Sequence, residues 1–73
     1  MTLNELKPGQ DCTIIKVGGS GELRCRLLDM GLIPKTHVKV IKFAPLGDPM
    51  ELFIRGYGLT IRLEDAKLIE VIQ

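Results

Sequence analysis

"THVKVIKFAPLGDPMELFIRGYGLTIRL", Thr36 to Leu63, decides the fold. Val38 and Val40 fall on one side of its first run, Leu52 and Ile54 on one side of its second, and Leu59, Ile61 and Leu63 oppose Thr60 and Arg62 in its third. A repeat of two with β-branched and aliphatic residues marks half-buried strands. "APLGDP", Ala44 to Pro49, joins the first pair and the Gly-Tyr-Gly turn around Tyr57 joins the second. Pro45 presets a turn, Gly47 relieves crowding and Asp48 can bond nearby amides. Leu46 has no such local duty.

Working outward, "DCTIIKV" from Asp11 to Val17 reads as a further strand, with Cys12 and Ile14 on one face and Thr13, Ile15 and Val17 on the other. "KLIEVIQ" closes the chain as another, with Ile69 and Val71 alternating against Leu68, Glu70 and Ile72. Between the two lies a change of period. In "GGSGELRCRLLDMGLIP", Leu23, Leu27 and Met30 recur at helical spacing, Ser20 is placed to cap the helix, and Glu22 suits its positive end. Gly31 then stands as a left-handed stop, with Leu32 set to contact Leu27 and Pro34 barring continuation. The opening "TLNEL" has the capping-box spacing of Thr2 and Glu5, with Leu3 and Leu6 facing inward. "EDA", Glu64 to Ala66, reads as a polar turn.

These elements predict a mainly β chain: a small, SH3-like, partly open β-barrel of about five strands with one short α-helix, one domain over residues 1–73. A flat sheet of this size would bury one face and leave long edges, which curling relieves. The composition narrows function. A chain of 73 residues buries only about 60% of its unfolded surface, leaving little room for an internal active site. Ten Lys and Arg against nine Asp and Glu leave a net charge of +1, and aromatics are 4% of the chain, so neither the basic footprint nor the stacking groups of a nucleic-acid binder are present. No apolar run reaches the ~18 residues of a membrane span. Two cysteines, Cys12 and Cys25, without a signal-peptide core at the N-terminus, read as free thiols of a cytoplasmic protein.

Candidate chemistry is sparse. His37 is the sole histidine and has no nucleophile at close spacing. Cys12, Cys25 and His37 are isolated rather than paired as zinc ligands, so no metal or cofactor is expected; Glu22, Cys25 and Asp29 share a helix face that could at most bind a divalent ion loosely. "GGSG", Gly18 to Gly21, lacks the Lys-Ser/Thr pair of a phosphate loop and reads as a turn. What remains is surface. Leu46, Tyr57, Met30 and Leu32 are apolar groups in or beside connections, where binding residues concentrate. Each either faces a partner or folds back to plug an open end of the barrel.

The ordered set "RLLDMGLIP", "APLGDP" and "RLEDAKLIEV" closely resembles the FeoA family over essentially the whole chain. The match covers Arg26, Leu27, Met30, Gly31, Leu32 and Pro34, then Ala44, Pro45, Gly47, Asp48 and Pro49, and later Gly56, Arg62, Ala66, Ile69 and Val71. The resemblance implies a small cytoplasmic SH3-like accessory of ferrous iron uptake, not an enzyme, that binds the membrane transporter FeoB on its cytosolic G-protein side without entering the membrane. The expected contact is a rigid apolar surface from "APLGDP" and the helix exit, comprising Met30, Leu32, Pro45, Leu46, Asp48 and Tyr57. Two other readings stay open: a metal-handling protein delivering ferrous iron, sensitive to Cys25, and a stimulator of the partner's GTP hydrolysis, with Arg24, Arg26 or Arg55 acting in trans. One position departs from the family pattern. Lys35 follows Pro34 where glycine is usual, and because lysine resists positive φ the corner is expected to form a type I turn.

Overall fold

The computed structural model describes residues 1–73. Five strands, β1 (Asp11–Val17), β2 (His37–Phe43), β3 (Met50–Ile54), β4 (Tyr57–Ile61) and β5 (Ile69–Ile72), form one antiparallel sheet in the order β4-β3-β2-β1-β5. β4 and β5 are its two edges, so the barrel stays open. Helix α1 (Gly21–Asp29), a short helix α2 (Leu63–Ala66) and a 3-10 turn over Leu3–Glu5 complete the fold.

The sheet's inner face is aliphatic. Cys12, Ile14, Val38, Val40, Met50, Leu52, Ile54, Ile61, Ile69 and Val71 are all buried on it. Leu27 of α1, Ala66 of α2, and Leu3 and Leu6 of the first turn join the same core. That first turn is closed by the Glu5 amide donating to Thr2 O (3.0 Å), and the Thr2 amide donates to Glu5 Oε2 (3.3 Å).

Two register shifts curl the sheet. In β1 the pairing with β5 slips between Ile14 and Lys16, and in β2 the pairing with β3 slips between Val40 and Lys42. Each bulge leaves an isoleucine, Ile15 or Ile41, on the solvent side and adds local twist. The bulge also corrects the simple alternation expected of β1. Val17 does not share the face of Thr13 and Ile15; the extra residue turns it inward, where it is buried.

The helix exit forms as the sequence predicts. Gly31 takes φ 99°, its amide donates to Leu28 O (3.0 Å), and the Leu32 amide reaches back to Leu27 O (3.2 Å), a complete Schellman closure. Ser20 holds the N-cap position of α1, yet its side chain makes no capping bond. The third strand of the hairpin run ends earlier than its alternation suggests. Leu63 does not continue β4 but opens α2, and its amide donates to Asp48 Oδ1 (3.1 Å) from the loop between β2 and β3. Gly18 has a packing reason: its amide donates to Leu68 O (2.6 Å), and a Cβ there would lie 2.9 Å from that oxygen.

The corner after α1 contradicts the type I expectation. Lys35 adopts φ 75°. The Thr36 amide donates to Ile33 O (3.2 Å), which closes a turn with Lys35 at the position that glycine ordinarily fills. Tertiary bonds overrule the local preference. The Lys35 amide donates to Ile14 O (2.6 Å) and the Ile14 amide to Thr36 O (2.9 Å), so the corner is stitched to β1 in that one conformation. Left-handed lysine costs about 1–2 kcal/mol, partly offset by the entropy glycine would lose. Lys35→Gly is therefore expected to stabilise the chain by about 0.5–1 kcal/mol, raising the thermal midpoint by ~2–8 °C in differential scanning calorimetry.

Candidate functional site

The loop from Ala44 to Pro49 is built as a fixed projection. The Gly47 amide donates to Ala44 O (2.7 Å), closing a turn with Pro45 and Leu46 at its centre, and Gly47 itself lies at φ 92°. The Ala44 amide donates to Pro49 O (2.9 Å) across the base, and the Asp48–Pro49 peptide is cis. Asp48, through Leu63, ties the loop to the start of α2. At the tip, Leu46 is 97% exposed, the largest exposure among the chain's large apolar side chains.

Beside this loop runs a groove of about 310 Å³. Arg26 of α1, Met30 at its C-cap, Pro49 of the loop, and Thr60, Arg62 and Asp65 line it. Met30 is half-buried there, so the helix exit and Pro49 at the end of the loop border one groove.

Tyr57 belongs to the helix exit rather than to the loop. Its Oη donates to Met30 O (2.7 Å), the C-cap carbonyl of α1, which has no partner within the helix. The ring lies over Gly31, where a Cβ would sit 2.7 Å from Tyr57 Oη and 3.2 Å from Ile54 Cδ1. Met50 pairs with Ile61 at the loop end of β3 and Ile54 with Tyr57 at the other. Four residue steps at ~3.3 Å each separate the Leu46 end from the Tyr57 end by about 13 Å.

The six residues expected at a partner surface thus divide. Leu46 and Pro45 are exposed, and Met30 is half-buried beside the groove. Leu32 departs from the expectation: it is fully buried, and its contact belongs to the helix stop. Asp48 is exposed but serves as a cap for α2, and Tyr57 as a clasp on Met30, although 44% of Tyr57 remains accessible. The sequence missed Phe53, a β3 residue 46% exposed on the outer face beside Lys39 and Arg55.

Other candidate chemistry resolves into structure. No group of three His, Cys, Asp or Glu side chains gathers to hold a metal ion, Glu22, Cys25 and Asp29 included. His37 Nε2 lies 3.4 Å from Asp11 Oδ2 on the open surface, a pairing that strand register creates and linear spacing hides. Cys12 is buried on the inner face, and burial, reinforced by the Asp11 charge, pushes its thiol up to about 11. Cys25 is exposed. Arg24 Nε donates to Val17 O (3.2 Å) and an Arg55 guanidinium nitrogen to Thr36 Oγ1 (3.2 Å), which leaves both arginines partly committed.

The FeoA domain family profile matches residues 1–73. The chain belongs to the FeoA family. It is 41% identical over 71 residues to an Fe(2+) transport protein A/Fe(2+) transporter FeoB fusion protein of Porphyromonas gingivalis, covering 97% of this chain and 8% of that protein. It is 35% identical over 71 residues to a putative Fe(2+) transport protein A of Campylobacter jejuni, covering 97% of this chain and 96% of that one. Among solved structures, the iron(II) transport protein A of Clostridium thermocellum superposes with a TM-score of 0.93 at 39% identity, over 99% of this chain and 44% of that one. A FeoA from Stenotrophomonas maltophilia, described as an SH3 domain protein complexed with zinc, superposes with a TM-score of 0.84 at 23% identity, over 97% of this chain and 88% of that one. That last likeness shows the fold alone, and the fold is SH3-like. Within it, some of the residues that carry the resemblance have clear structural duties: Gly31 and Leu32 stop the helix, and Pro45, Gly47, Asp48 and Pro49 shape the loop.

The clasp is open to test by a double-mutant cycle. Tyr57→Phe loses one hydrogen bond and is expected to cost about 0.5–1.5 kcal/mol in urea denaturation. Gly31→Ala, strained at positive φ and crowded by Tyr57 Oη, is expected to cost about 2 kcal/mol or more. Combining the two costs less than their sum, because removing the hydroxyl makes room for the new methyl. The thiols differ as well. A thiol reagent at neutral pH labels Cys25 in the native chain and reaches Cys12 only on unfolding. Since native Cys12 keeps its proton up to about pH 11 against 9.0 for the ordinary thiol, its contribution is complete below pH 9 and lost as pH rises from 9 to 11. The urea midpoint falls over that window, and less steeply in Cys12→Ala.

Proposed function

We propose that this chain is an accessory protein of ferrous iron uptake that docks on a FeoB-like membrane transporter, at its cytosolic G-protein region, and acts there as a non-catalytic adaptor or regulator. The single observation that carries the docking surface is Leu46, an apolar side chain held 97% in water at the tip of a loop closed by its own backbone bonds. Fully burying a leucine gains about 1.5–3 kcal/mol, and a loop fixed before contact loses little entropy on docking. The Porphyromonas gingivalis relative supports the choice of partner, because there an Fe(2+) transport protein A and a transporter FeoB are named as one fused chain. Pro45 flanks Leu46, and the groove holding Pro49 and Met30 extends the surface toward the helix exit. A contact of this extent fits a modest, transient interface. The proposed attachment runs through the partner; no helix of the chain is long and apolar enough to cross a membrane.

The experiment is co-purification with a FeoB-like transporter in detergent. Leu46→Glu is expected to reduce recovery at least tenfold, the effect of burying a charge at a small apolar contact, while the thermal midpoint moves by less than ~2 °C because the site is solvated. Unchanged recovery removes Leu46 from the interface. Cys25→Ser in the same assay separates docking from iron delivery: the adaptor reading expects no change, whereas an iron-handling role expects loss of ferrous iron bound to the chain.

A further inference from the structure

The chain holds side chains at two places where its backbone favours none. Lys35 at φ 75° and Arg55 at φ 46° are the non-glycine residues in the left-handed region. Lys35 occupies a turn position that glycine ordinarily fills. Arg55, followed by Gly56 at φ 87°, forms the two-residue connection of the β3–β4 hairpin, where asparagine is the ordinary occupant. Such strain persists where the surrounding structure enforces it, and it gathers at binding surfaces. These two turns are far apart in sequence, yet both cations line one groove.

That groove, of about 510 Å³, crosses the outer face of β2 and β3, and Thr36, His37, Lys39 and Phe53 complete its lining. Lys39 pairs directly with Phe53. Val38 pairs with Ile54, and His37 and Arg55 are the next residues beyond that pair, both lining the groove. Phe53, 46% exposed, is thus an aromatic floor bordered by three permanent cations. One carboxylate borders it: Asp11 of β1 is the strand partner of Lys39 and lies 3.4 Å from His37 Nε2, which leaves three cations against one carboxylate on this face. Against a whole-chain charge of +1, the positive character of this face is a local concentration.

We propose that this groove is a docking site for an extended acidic segment of a protein partner, its carboxylates over Lys35, Lys39 and Arg55 and an apolar side chain over Phe53. Same-face neighbours along a strand lie ~7 Å apart, which is also the spacing of alternate side chains in an extended peptide. One guanidinium nitrogen of Arg55 is anchored on Thr36 Oγ1 (3.2 Å), which orients the plane for paired hydrogen bonds to a carboxylate. Other anionic occupants fit less well. Nucleic acid binding accumulates affinity over many phosphate contacts and stacked bases, and three cations around a single ring offer few of either. Anionic lipid recognition uses clusters of about four to eight Lys and Arg, more than this face carries. The groove is separate from the Leu46 loop, so the inference does not depend on the docking surface proposed above.

Fluorescence anisotropy of a fluorescein-labelled decaglutamate peptide, titrated with the full chain, tests the inference. Saturable binding is expected at low salt, weakening at least about tenfold between ~50 and ~200 mM salt. Lys35→Gly is expected to weaken it about fivefold or more even though this variant melts higher than the parent, so misfolding cannot account for the loss. Arg55→Asn weakens it likewise. Lys67→Ala, a lysine lost at the C-terminal end of α2, stays within about twofold of the parent. The inference is overturned by the absence of saturable peptide binding, or by Lys35→Gly and Lys67→Ala weakening it equally. It is overturned too if phosphatidylserine/phosphatidylcholine vesicles bind more tightly than the peptide through the same residues, which would make a lipid surface the occupant.

Discussion

An open five-stranded sheet must curl to bury its inner face, and the rest of this structure depends on the bulges at Ile15 and Ile41 that let it. Without the slip in β1, Val17 would point to solvent and the approach to α1 would lose its buried anchor. Without the slip in β2, the strand would run flat into the loop that carries Leu46. Each bulge leaves an isoleucine on the outer surface and in return adds the twist that brings both sheet edges toward the short helices and the opening turn.

On this curled frame the connections are as determined as the strands. The helix exit is fixed from two sides: Leu32 is driven into the core, and Tyr57 clasps the Met30 carbonyl from the neighbouring hairpin. The loop between β2 and β3 is closed by its own amides and anchored by Asp48 to the first residue of α2. Side chains left outside by such connections are presented in set positions. Leu46 is apolar and projects from one end of β3; Lys35 and Arg55 are charged and flank Phe53 at the other. The two surfaces differ in chemistry and location; if both proposed contacts form on one partner, each raises the effective concentration for the other.

Much of this was legible in the residues. The strand positions, the Schellman stop at Gly31, and the buried Leu3 and Leu6 all follow from periodicity and local turn chemistry, whereas for Leu46 the residues left exposure and burial both open. What stayed hidden depends on contacts between distant parts of the chain. The left-handed Lys35 is imposed by hydrogen bonds to Ile14, and no local preference announces it. Asp48 as a helix cap, and Tyr57 as a carbonyl clasp, need partners 15 and 27 residues away. The proximity of His37 to Asp11 comes from the register of β1 on β2, and the groove around Phe53 from that of β2 on β3, and neither register can be read from the alternation within one strand.

The central claim is that a preformed loop delivers Leu46 into an apolar contact on a FeoB-like transporter. The most direct measurement is methyl NMR of the chain, with its leucines labelled, titrated with the soluble G-protein region of such a transporter. The Leu46 methyl signals are expected to shift or broaden while those of Leu32, sealed in the core, stay in place. Leu46 signals that remain unperturbed at saturation, with changes appearing elsewhere on the chain, would contradict it.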